Sequence, residues 1–456
     1  MTTAQRPAAG PPRPYAFPAV ARHTMGNGMQ MRVVSLRRLP VATILLMFDA
    51  GAECDDPRQP GIAALTAAAL AEGTSRRNAV ALTEAFEQLG ASLETRVTWT
   101  HAECSTTVLV PRLGEAMRLL AEVVRAPAFP EGEVTRLREE RLAELLQQRA
   151  EPRGLADDMF ARLCFAPEAR YARPEGGDEA SVARLTRDDV VAHHARFLVP
   201  SRATLVVVGD VDEGTVLQLA EATLGDWHAG AGEAPLLSVA SRTTSAGVHL
   251  VEKVDAPQSE LRIGHPSVPR THPDFHALAV MNAILGGLFN SRINLNLRER
   301  NAYTYGAFSH FDWRRRASLF EVSTAVRSDV SGAAVREVLS EIERMRSERV
   351  SEAERSLAVD YLTGVFPIRF ETTAAIADAL ALQQGFGLPA DYYDRYRARI
   401  ADTSADDILR VAREHLRTDR MQIVAVGDRH QVRDQLAALS IAPLHEYDAT
   451  GEELTQ

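Results

Sequence analysis

The chain has 456 residues and a formal net charge of −10, with 45% hydrophobic and 25% charged residues. This balance is typical of a soluble globular protein, and the length exceeds what one hydrophobic core usually supports, so we expect two or more domains. The acidic balance excludes the broad basic surface that nucleic acid binding requires. The basic triplet Arg314–Arg316 is short and isolated, so we interpret it as a solvated strand end.

Three cysteines, Cys54, Cys104 and Cys164, are far apart and odd in number. They lack the CxxC spacing of zinc knuckles, so we predict buried free thiols in a reducing compartment. Residues 1–16 are rich in Pro and Ala and lack the ~7–15-residue apolar stretch of a signal peptide, and we expect a disordered tail. As written, the chain is expected to be cytoplasmic without a membrane span; a misassigned start site would allow a periplasmic location.

In the first half, segments rich in Val and Ile or alternating in polarity predict strands, and apolar residues spaced near 3.6 predict helices. The predicted strands are 31–38, 41–51, 91–99, 103–111 and 203–210. The predicted helices are 61–73, 81–90, 113–127 and 131–150, then further helices before 203 and a closing helix that ends near 227.

The second half is predicted to follow the same order. Its predicted strands are 247–254, 259–268, 304–313, 317–326 and 421–428. Its predicted helices are 273–287, 291–300 and those that fill the stretch to Leu416. Because runs of strands precede runs of helices, the pattern favours α+β over a doubly wound sheet.

The two halves also repeat one another in sequence. LTRDDVVAHHARFLVPSRATLVVVGDVD, from Leu185, matches TSADDILRVAREHLRTDRMQIVAVGDRH, from Thr403, without a gap and at one offset (403 − 185 = 218). We therefore predict two homologous domains in tandem, each a largely antiparallel sheet packed with helices. The predicted boundaries are a tail at 1–16, a domain at 17–228, a linker at 229–246, a domain at 247–446 and a frayed acidic tail at 447–456.

The segment GIAALTAAALAEGT, from Gly61 to Thr74, resembles the first core helix of the insulinase/pitrilysin-like (M16) peptidases. Active members have the form G-x-A-H-x-x-E-H-x-x-x-x-G-T, in which two histidines on one helix face hold zinc and the glutamate activates water. Ala64, Ala67 and Ala68 stand at those three positions. Glu144 follows Ala68 by 76 residues (144 − 68 = 76), the spacing that the resemblance implies for the third ligand.

Since alanine has no lone pair to offer a metal, we predict a degenerate site and no metal bound by this chain. Glu144 is then a structural residue, such as an ion-pair partner for a neighbouring Arg. Without the family, the segment is simply a buried helix of good helix formers. Three other pairs contain a histidine but lack further residues at the spacing of a metal motif: His193-His194, Glu414-His415 and His445-Glu446. We interpret these histidines as surface or helix-end residues.

The segment GGLFNSRINLNLRERNAYTYGAFSHFDW, from Gly286, resembles the second-half motif of the same family, G-G-x-x-x-S-R-L-x-x-x-L-R-E…Y. The resemblance implies that Arg298 and Tyr305 reach an active site that faces a zinc helix, as catalytic residues, and that Gly286, Gly287 and Arg298 bind substrate. The spacing fits a helix end followed by a strand. Alternatively, Arg298 belongs to a surface ion network and Tyr305 to a half-buried strand, and Tyr303 competes for the role on the same strand face.

The resemblance covers roughly Phe17 to Leu439 and implies an M16B-type α+β fold that forms a clam-shaped half-chamber. It implies a subunit inactive alone, paired as a heterodimer with a homologous chain that carries HxxEH and zinc and acts on unfolded peptides. Three other functions remain open: a scaffold subunit like the core proteins of respiratory complexes, a module that captures peptides as β-strands, and a hydrolase with an unrecognised site.

Overall fold

A computed structural model describes residues 14–230, 240, 242 and 245–454 of the chain. Its strands form two six-stranded sheets, one in each half of the sequence. The strands are β1 Ala21–Thr24, β2 Gln30–Ser35, β3 Val41–Phe48, β4 Glu94–Val97, β5 Ala102–Leu109, β6 Ala203–Gly209, β7 Gly247–Glu252, β8 Gln258–Ser267, β9 Ala307–Asp312, β10 Ser318–Arg327, β11 Gln422–Gly427 and β12 Leu444–Tyr447.

The helices surround these sheets, and among those described none is long and apolar enough to cross a membrane. The helices of the first half are α1 Ile62–Ala69, α2 Ala79–Glu87, α3 Leu113–Arg125, α4 Glu131–Ala150, α5 Pro152–Cys164, α6 Glu179–Val182, α7 Arg187–Phe197 and α8 Glu213–Leu224. Those of the second half are α9 Phe275–Asn282, α10 Arg292–Asn294, α11 Ser331–Ser347, α12 Glu352–Val365, α13 Thr373–Gly385, α14 Tyr392–Ala401, α15 Ala405–His415 and α16 Arg429–Ala437, with π-helical turns at Ala283–Gly287 and Leu295–Arg300.

The two sheets share one topology. The first has the order β1-β2-β6-β3-β5-β4 and the second β12-β7-β11-β8-β10-β9, so five strands correspond one to one. In each half, the first and the last of these five strands in sequence pair in parallel: β2 with β6, and β7 with β11. The pairs that lead from there to β4 or β9 are antiparallel. The predicted two-domain α+β architecture is confirmed.

The two halves exchange helices across their junction. Helix α5 of the first half packs on β8 and β11 of the second sheet, and α13 of the second half packs on β3 and β6 of the first. Both sheets are therefore covered on both faces, which explains the nearly continuous apolar runs of β3 and β6. The halves are two units in sequence, but they share their cores.

The ends of the chain differ from the predicted tails. Residues 1–13 lie outside the described residues, but Tyr15 and Phe17 pack on Phe370, with ring centroids 6.4 and 5.1 Å away. The segment that follows Tyr447 turns back, and the N–H of Leu454 donates to the carbonyl of Glu446 at 2.8 Å. These apolar and main-chain contacts hold residues 14–16 and 448–454, in contrast to the disorder expected there. Most of the predicted linker lies outside the described residues.

The interpretation of Arg314–Arg316 as a solvated strand end is wrong for its first two residues. The turn between β9 and β10 lies at the junction of the halves, and the Arg314 side chain is only 6% exposed, with its guanidinium 4.3 Å from the centre of the Trp99 ring. Arg315 donates to Asp49 at 2.8 Å. Arg316 alone of the three is exposed. The first half thus supplies the aromatic face and carboxylate that these cations require.

Cys54, Cys104 and Cys164 are buried and none of the three forms a disulfide, as predicted. Burial raises the pKa of the Cys54 thiol to about 11 and that of Cys104 to about 12. Since the thiolate is the reactive form, these side chains are inert packing residues at neutral pH.

Candidate functional site

The helix that carries the predicted metal positions is fixed at its N-terminus by a buried carboxylate. Asp55 accepts hydrogen bonds from the backbone N–H groups of Gly61 at 2.7 Å and Ala63 at 3.1 Å, and from Arg170 at 2.9 Å. Gly61 has a φ of 95°. A Cβ there would lie 2.6 Å from the carbonyl oxygen of Gly176, so glycine is required for this loop to close over the start of α1.

The four predicted degenerate metal positions come together. Ala64, Ala67 and Ala68 share one face of α1 and line an open depression of about 410 Å³, and Glu144 of α4 lines it too. Strand β4, through residues 95–97, and the loop at 175–176 complete the wall. The cluster that the resemblance to the M16 motif implied is therefore present in the structure. We call it the alanine pocket.

The last candidate ligand in the alanine pocket is engaged by an arginine. Arg141, one helical turn before Glu144, donates to its carboxylate at 3.1 Å. The guanidinium of Arg141 also lies against Gly176, where an added Cβ would come 2.8 Å from Nη2. Glu144 is 66% exposed, so this pair is weak, as surface ion pairs are. The predicted ion-pair partner of Glu144 is thus Arg141.

The residues of the alanine pocket do not fit a zinc ion. Zinc in proteins takes three or four donors from Cys, His or carboxylate groups. Among the described lining residues, the only carboxylates are Glu144, which is paired, and Glu175, whose pKa burial raises to about 7. Two guanidiniums, of Arg96 and Arg141, line the same space and would repel a dication. The pocket therefore supports no metal-dependent step.

Arg96 is held by a buried network that was not predicted from the sequence. Arg96 on β4 stands opposite Glu103 on β5 and donates to its carboxylate at 2.7 Å. The other oxygen of Glu103 lies 3.1 Å from Nε2 of His101, which is fully buried. Burial alone would raise the pKa of Glu103, but hydrogen bonds from His101 and Arg96 hold it below its ordinary value. The sequence feature that could have predicted this network is a pair of opposite charges, Arg96 in ETRV and Glu103 in AEC, on two successive predicted strands.

In the second half, the predicted pair Arg298 and Tyr305 lies on a helical turn and on the loop that follows it. Arg298 lies on the π-helical turn, with its guanidinium 4.6 Å from the centre of the Phe289 ring and Nε 3.4 Å from Glu299. Tyr305 is 91% exposed. It precedes β9, which starts at Ala307, so the predicted position on a strand is wrong. No described contact joins Arg298 to Tyr305.

The competing tyrosine has a structural role. Tyr303 is partly buried against the core, and its backbone N–H donates to the carbonyl of Leu297 at 2.9 Å. The loop between the helical turn and β9 therefore turns Tyr303 inward and leaves Tyr305 outward. Of the two, Tyr305 is available to another molecule.

The glycines of the second-half motif differ in position. Gly286 is buried, and a Cβ there would lie 2.4 Å from Oγ of Ser309 on β9. Its glycine is explained by this close approach, and a buried Gly286 offers nothing to a substrate, contrary to the prediction. Gly287 is exposed. Arg292 of the same motif forms a bidentate pair with Glu354 at 2.7 and 3.1 Å, which ties the motif to α12.

A histidine cluster in the second half was not predicted. His272, Asp274 and His415 bring their ligand atoms within 4.8 Å of one another. However, both terminal nitrogens of Arg410 bind Asp274, at 2.6 and 3.1 Å, and hydrogen bonding to Arg410 lowers the pKa of this carboxyl to about 2. The carboxylate is already satisfied by a cation, so the cluster is a structural ion network. His193, predicted to be a surface or helix-end residue, is buried within α7 instead.

Comparison with known proteins agrees with this fold. Residues 32–167 match the family described as Insulinase (Peptidase family M16), and residues 184–362 match the Peptidase M16 inactive domain. The crystal structure of a peptidase M16 inactive domain from Pseudomonas fluorescens superposes with a TM-score of 0.84 at 25% identity, covering 90% of this chain and 98% of that one. Fold and pocket together define a peptidase-like protein of two repeated α+β halves. The chain belongs to the M16 peptidase family.

Relatives within the family carry different names. An uncharacterized zinc protease of Streptomyces coelicolor is 24% identical over 88% of each chain. The non-peptidase homolog YmxG of Helicobacter pylori is 22% identical over 86% of this chain and 90% of its own. A probable mitochondrial-processing peptidase subunit beta of Arabidopsis thaliana is 22% identical over 90% of this chain and 79% of its own. Because these relatives are described as having different activities, the function of this chain has to be inferred from the residues of its own alanine pocket.

Proposed function

We propose that this chain is the metal-free subunit of a paired zinc peptidase. A homologous partner with an intact HxxEH motif binds zinc and activates water, and this chain contributes Arg298 and Tyr305 to the handling of unfolded peptides. The observation that carries the proposal is the contrast between an alanine pocket that does not fit zinc and a tyrosine that is 91% exposed.

The surroundings of Tyr305 support a role in contact with another molecule. Phe289 is 58% exposed and Phe308 is 48% exposed, and both belong to the segment around Arg298 and Tyr305. Exposed apolar side chains near one another are typical of surfaces that bind partners or ligands. Arg298 lies over Phe289 with part of its guanidinium open to solvent.

The chemistry of the two side chains suits this role. A tyrosine hydroxyl can donate a hydrogen bond to the oxyanion that forms when water attacks a peptide carbonyl. A guanidinium can hold a carbonyl or carboxylate in a fixed orientation. Neither group can activate water, so the water-activating centre is assigned to the partner.

The test is reconstitution with a homologous subunit that carries HxxEH. The zinc-loaded partner is assayed for peptide turnover alone, with this chain, and with its Tyr305→Phe variant. We expect activity to require both chains, and Tyr305→Phe to lower kcat by roughly 10²-fold, the usual effect of losing one oxyanion donor. Tyr361→Phe is the matched control, since Tyr361 is an exposed tyrosine on α12, outside the motif segment. Full turnover by the partner alone would refute the proposal.

One observation favours a second candidate, a subunit that binds peptides without contributing to cleavage. Strand β4 ends the first sheet, and a groove of about 800 Å³ lies beside it, lined by residues of β3, β4, β5 and α13. An open strand edge can pair with an extended peptide through main-chain hydrogen bonds. Peptide binding by the chain alone, with turnover of the reconstituted pair unaffected by Tyr305→Phe, would favour this candidate.

A further inference from the structure

We infer that the alanine pocket is a binding site for a carboxylate, held between the guanidiniums of Arg96 and Arg141. The inference rests on the peptide-handling function proposed above. Both side chains line one depression of about 410 Å³ whose floor is the alanine face of α1. In place of donors for a dication, the chain presents cations and a small apolar floor.

The position of Arg141 is built into the fold. Its Nε donates to the carbonyl of Gly176 at 3.4 Å, and the guanidinium lies over the Cα of that residue. Gly176 belongs to the loop that packs against Gly61 at the start of α1. Arg141 is only 29% exposed, so its stem is fixed while its charge borders the pocket.

Arg96 is likewise preorganised, through a different set of contacts. Its Nε and Nη2 both bind Glu103, at 2.7 and 2.5 Å, and Glu103 is in turn bound to the buried His101. Such a chain of buried partners fixes the guanidinium before a ligand arrives, which lowers the entropic cost of binding. Arg96 is 53% exposed, and Asp378, which lines the neighbouring groove and not the pocket, lies 3.6 Å from its Nη2.

The carboxylates around the two arginines do not prevent the binding of an anion. Glu103 is needed to hold Arg96, and Glu144 is the group that a ligand would displace from Arg141. Glu144 is 66% exposed and makes a weak surface pair, so its displacement costs little. Glu175 is the other acid among the described lining residues, and burial raises its pKa to about 7, so it carries only part of a negative charge at neutral pH.

The neighbouring strand edge indicates how the carboxylate arrives. Residues 95–97 of β4 line the pocket, and residues 94–96 line the groove beside it. A peptide that pairs with the edge of β4 therefore runs along the wall of the pocket that Arg96 and Arg141 line. Its carboxylate can be the free C-terminus or an Asp or Glu side chain, and a bidentate Arg contact serves either.

The experiment measures the affinity of the purified chain for three short peptides of one sequence by fluorescence anisotropy. One peptide has a free C-terminus and no acidic side chain, the second is amidated, and the third is amidated with an internal Asp. We expect the first or the third to bind about tenfold or more tightly than the second, as for hydrogen bonds to a charged group. The pattern among the three identifies the source of the carboxylate.

Variants assign the effect to the pocket. Arg141→Gln and Arg96→Gln are each expected to remove most of the preference for a carboxylate. Arg112→Gln is the matched control, since Arg112 forms the same kind of pair, with Glu115 three residues on at 3.0 Å, away from the pocket. Circular dichroism and thermal unfolding confirm that the variants are folded.

The outcomes separate this inference from the proposed function. Equal affinity for all three peptides, a preference that survives both variants, or no measurable binding of the peptides with carboxylates would each overturn the carboxylate site. Turnover by the reconstituted pair, and its dependence on Tyr305, is decided in a separate assay that does not require the pocket to bind anything.

Discussion

The guanidinium of Arg141 lies against the backbone of Gly176, so closely that a methyl group on Gly176 would come 2.8 Å from Nη2. This contact sets a cation at the rim of the pocket that the family motif would assign to zinc. The pocket therefore presents a guanidinium where the family motif would place metal ligands. Restoring the histidines alone would leave Arg141 beside the metal.

Replacing Gly61 by alanine is expected to destabilise the fold around the pocket. Gly61 has a φ of 95° and a Cβ there would lie 2.6 Å from the carbonyl oxygen of Gly176, which is backbone and cannot move away easily. We expect Gly61→Ala to lower the free energy of unfolding by about 2 kcal/mol or more, from strain and steric overlap together. Urea denaturation measures the change.

Gly364→Ala is the control for this prediction. Gly364 lies in α12, its φ is not positive, and no described neighbour comes within 4 Å of the place that a Cβ would occupy. Alanine there is expected to stabilise the protein by roughly 0.5–1 kcal/mol, because it favours the helix. Equal effects of the two substitutions would show that the loop does not press on α1.

The turn between β9 and β10 is expected to fasten the two halves together. Arg314 lies over Trp99 and donates to Asp312 at 2.6 Å, and its side chain is 6% exposed. Arg314→Met is expected to lower the free energy of unfolding by about 2–4 kcal/mol, because the stacking of a buried guanidinium on Trp99 and its ion pair with the partly exposed Asp312 are both lost. Thermal and urea unfolding test this.

The adjacent arginine provides the comparison. Arg316 is exposed, and Arg316→Met is expected to change stability by no more than about 0.5 kcal/mol. If both substitutions destabilise to the same degree, the loss of a positive charge explains the effect, and the contact of Arg314 with the first half does not.

Glu321 on β10 predicts a pH dependence of stability. Burial raises its pKa to about 7, although Arg262, with Nε 3.2 Å away, opposes this. Because the folded state holds this proton more tightly than the unfolded state, its contribution favours folding at low pH and is lost as the pH rises from about 4.5 through 7. Relative to wild type, Glu321→Gln is expected to gain about 1–2 kcal/mol of stability near pH 8 and nothing near pH 4.5.

Urea unfolding at the two pH values measures this difference. Arg262 keeps Asp157 at 2.6 Å and Glu260 at 2.9 Å in the variant, so it does not become an unpaired buried charge. A stability difference that is the same at both pH values would show that folding does not raise the pKa of Glu321 within this range.

Local pattern predicted ten of the twelve described strands and missed the edge strands β1 and β12. The offset of 218 residues predicted two homologous domains, and five strands of the two sheets correspond one to one. These features depend on periodicity and on repetition, which the sequence contains directly. The grouping of the alanines of α1 with Glu144 was implied by the resemblance to the M16 motif.

Contacts between the halves could not be predicted in the same way. The exchange of α5 and α13, the burial of Arg314 and the packing of Tyr15 on Phe370 join residues far apart in sequence. The exposed loop that carries Tyr305 was also missed, because its Thr and Tyr residues favour a strand locally. Long-range packing overrode these local preferences.

The central claim, that the alanine pocket does not hold zinc, is tested most directly by titrating the purified chain with Zn²⁺ beside its Glu144→Gln variant. Isothermal calorimetry and metal analysis after dialysis give affinity and stoichiometry. We predict that the two proteins behave alike, with no stoichiometric zinc retained by either. One zinc per chain that survives dialysis and is lost in Glu144→Gln would contradict the claim.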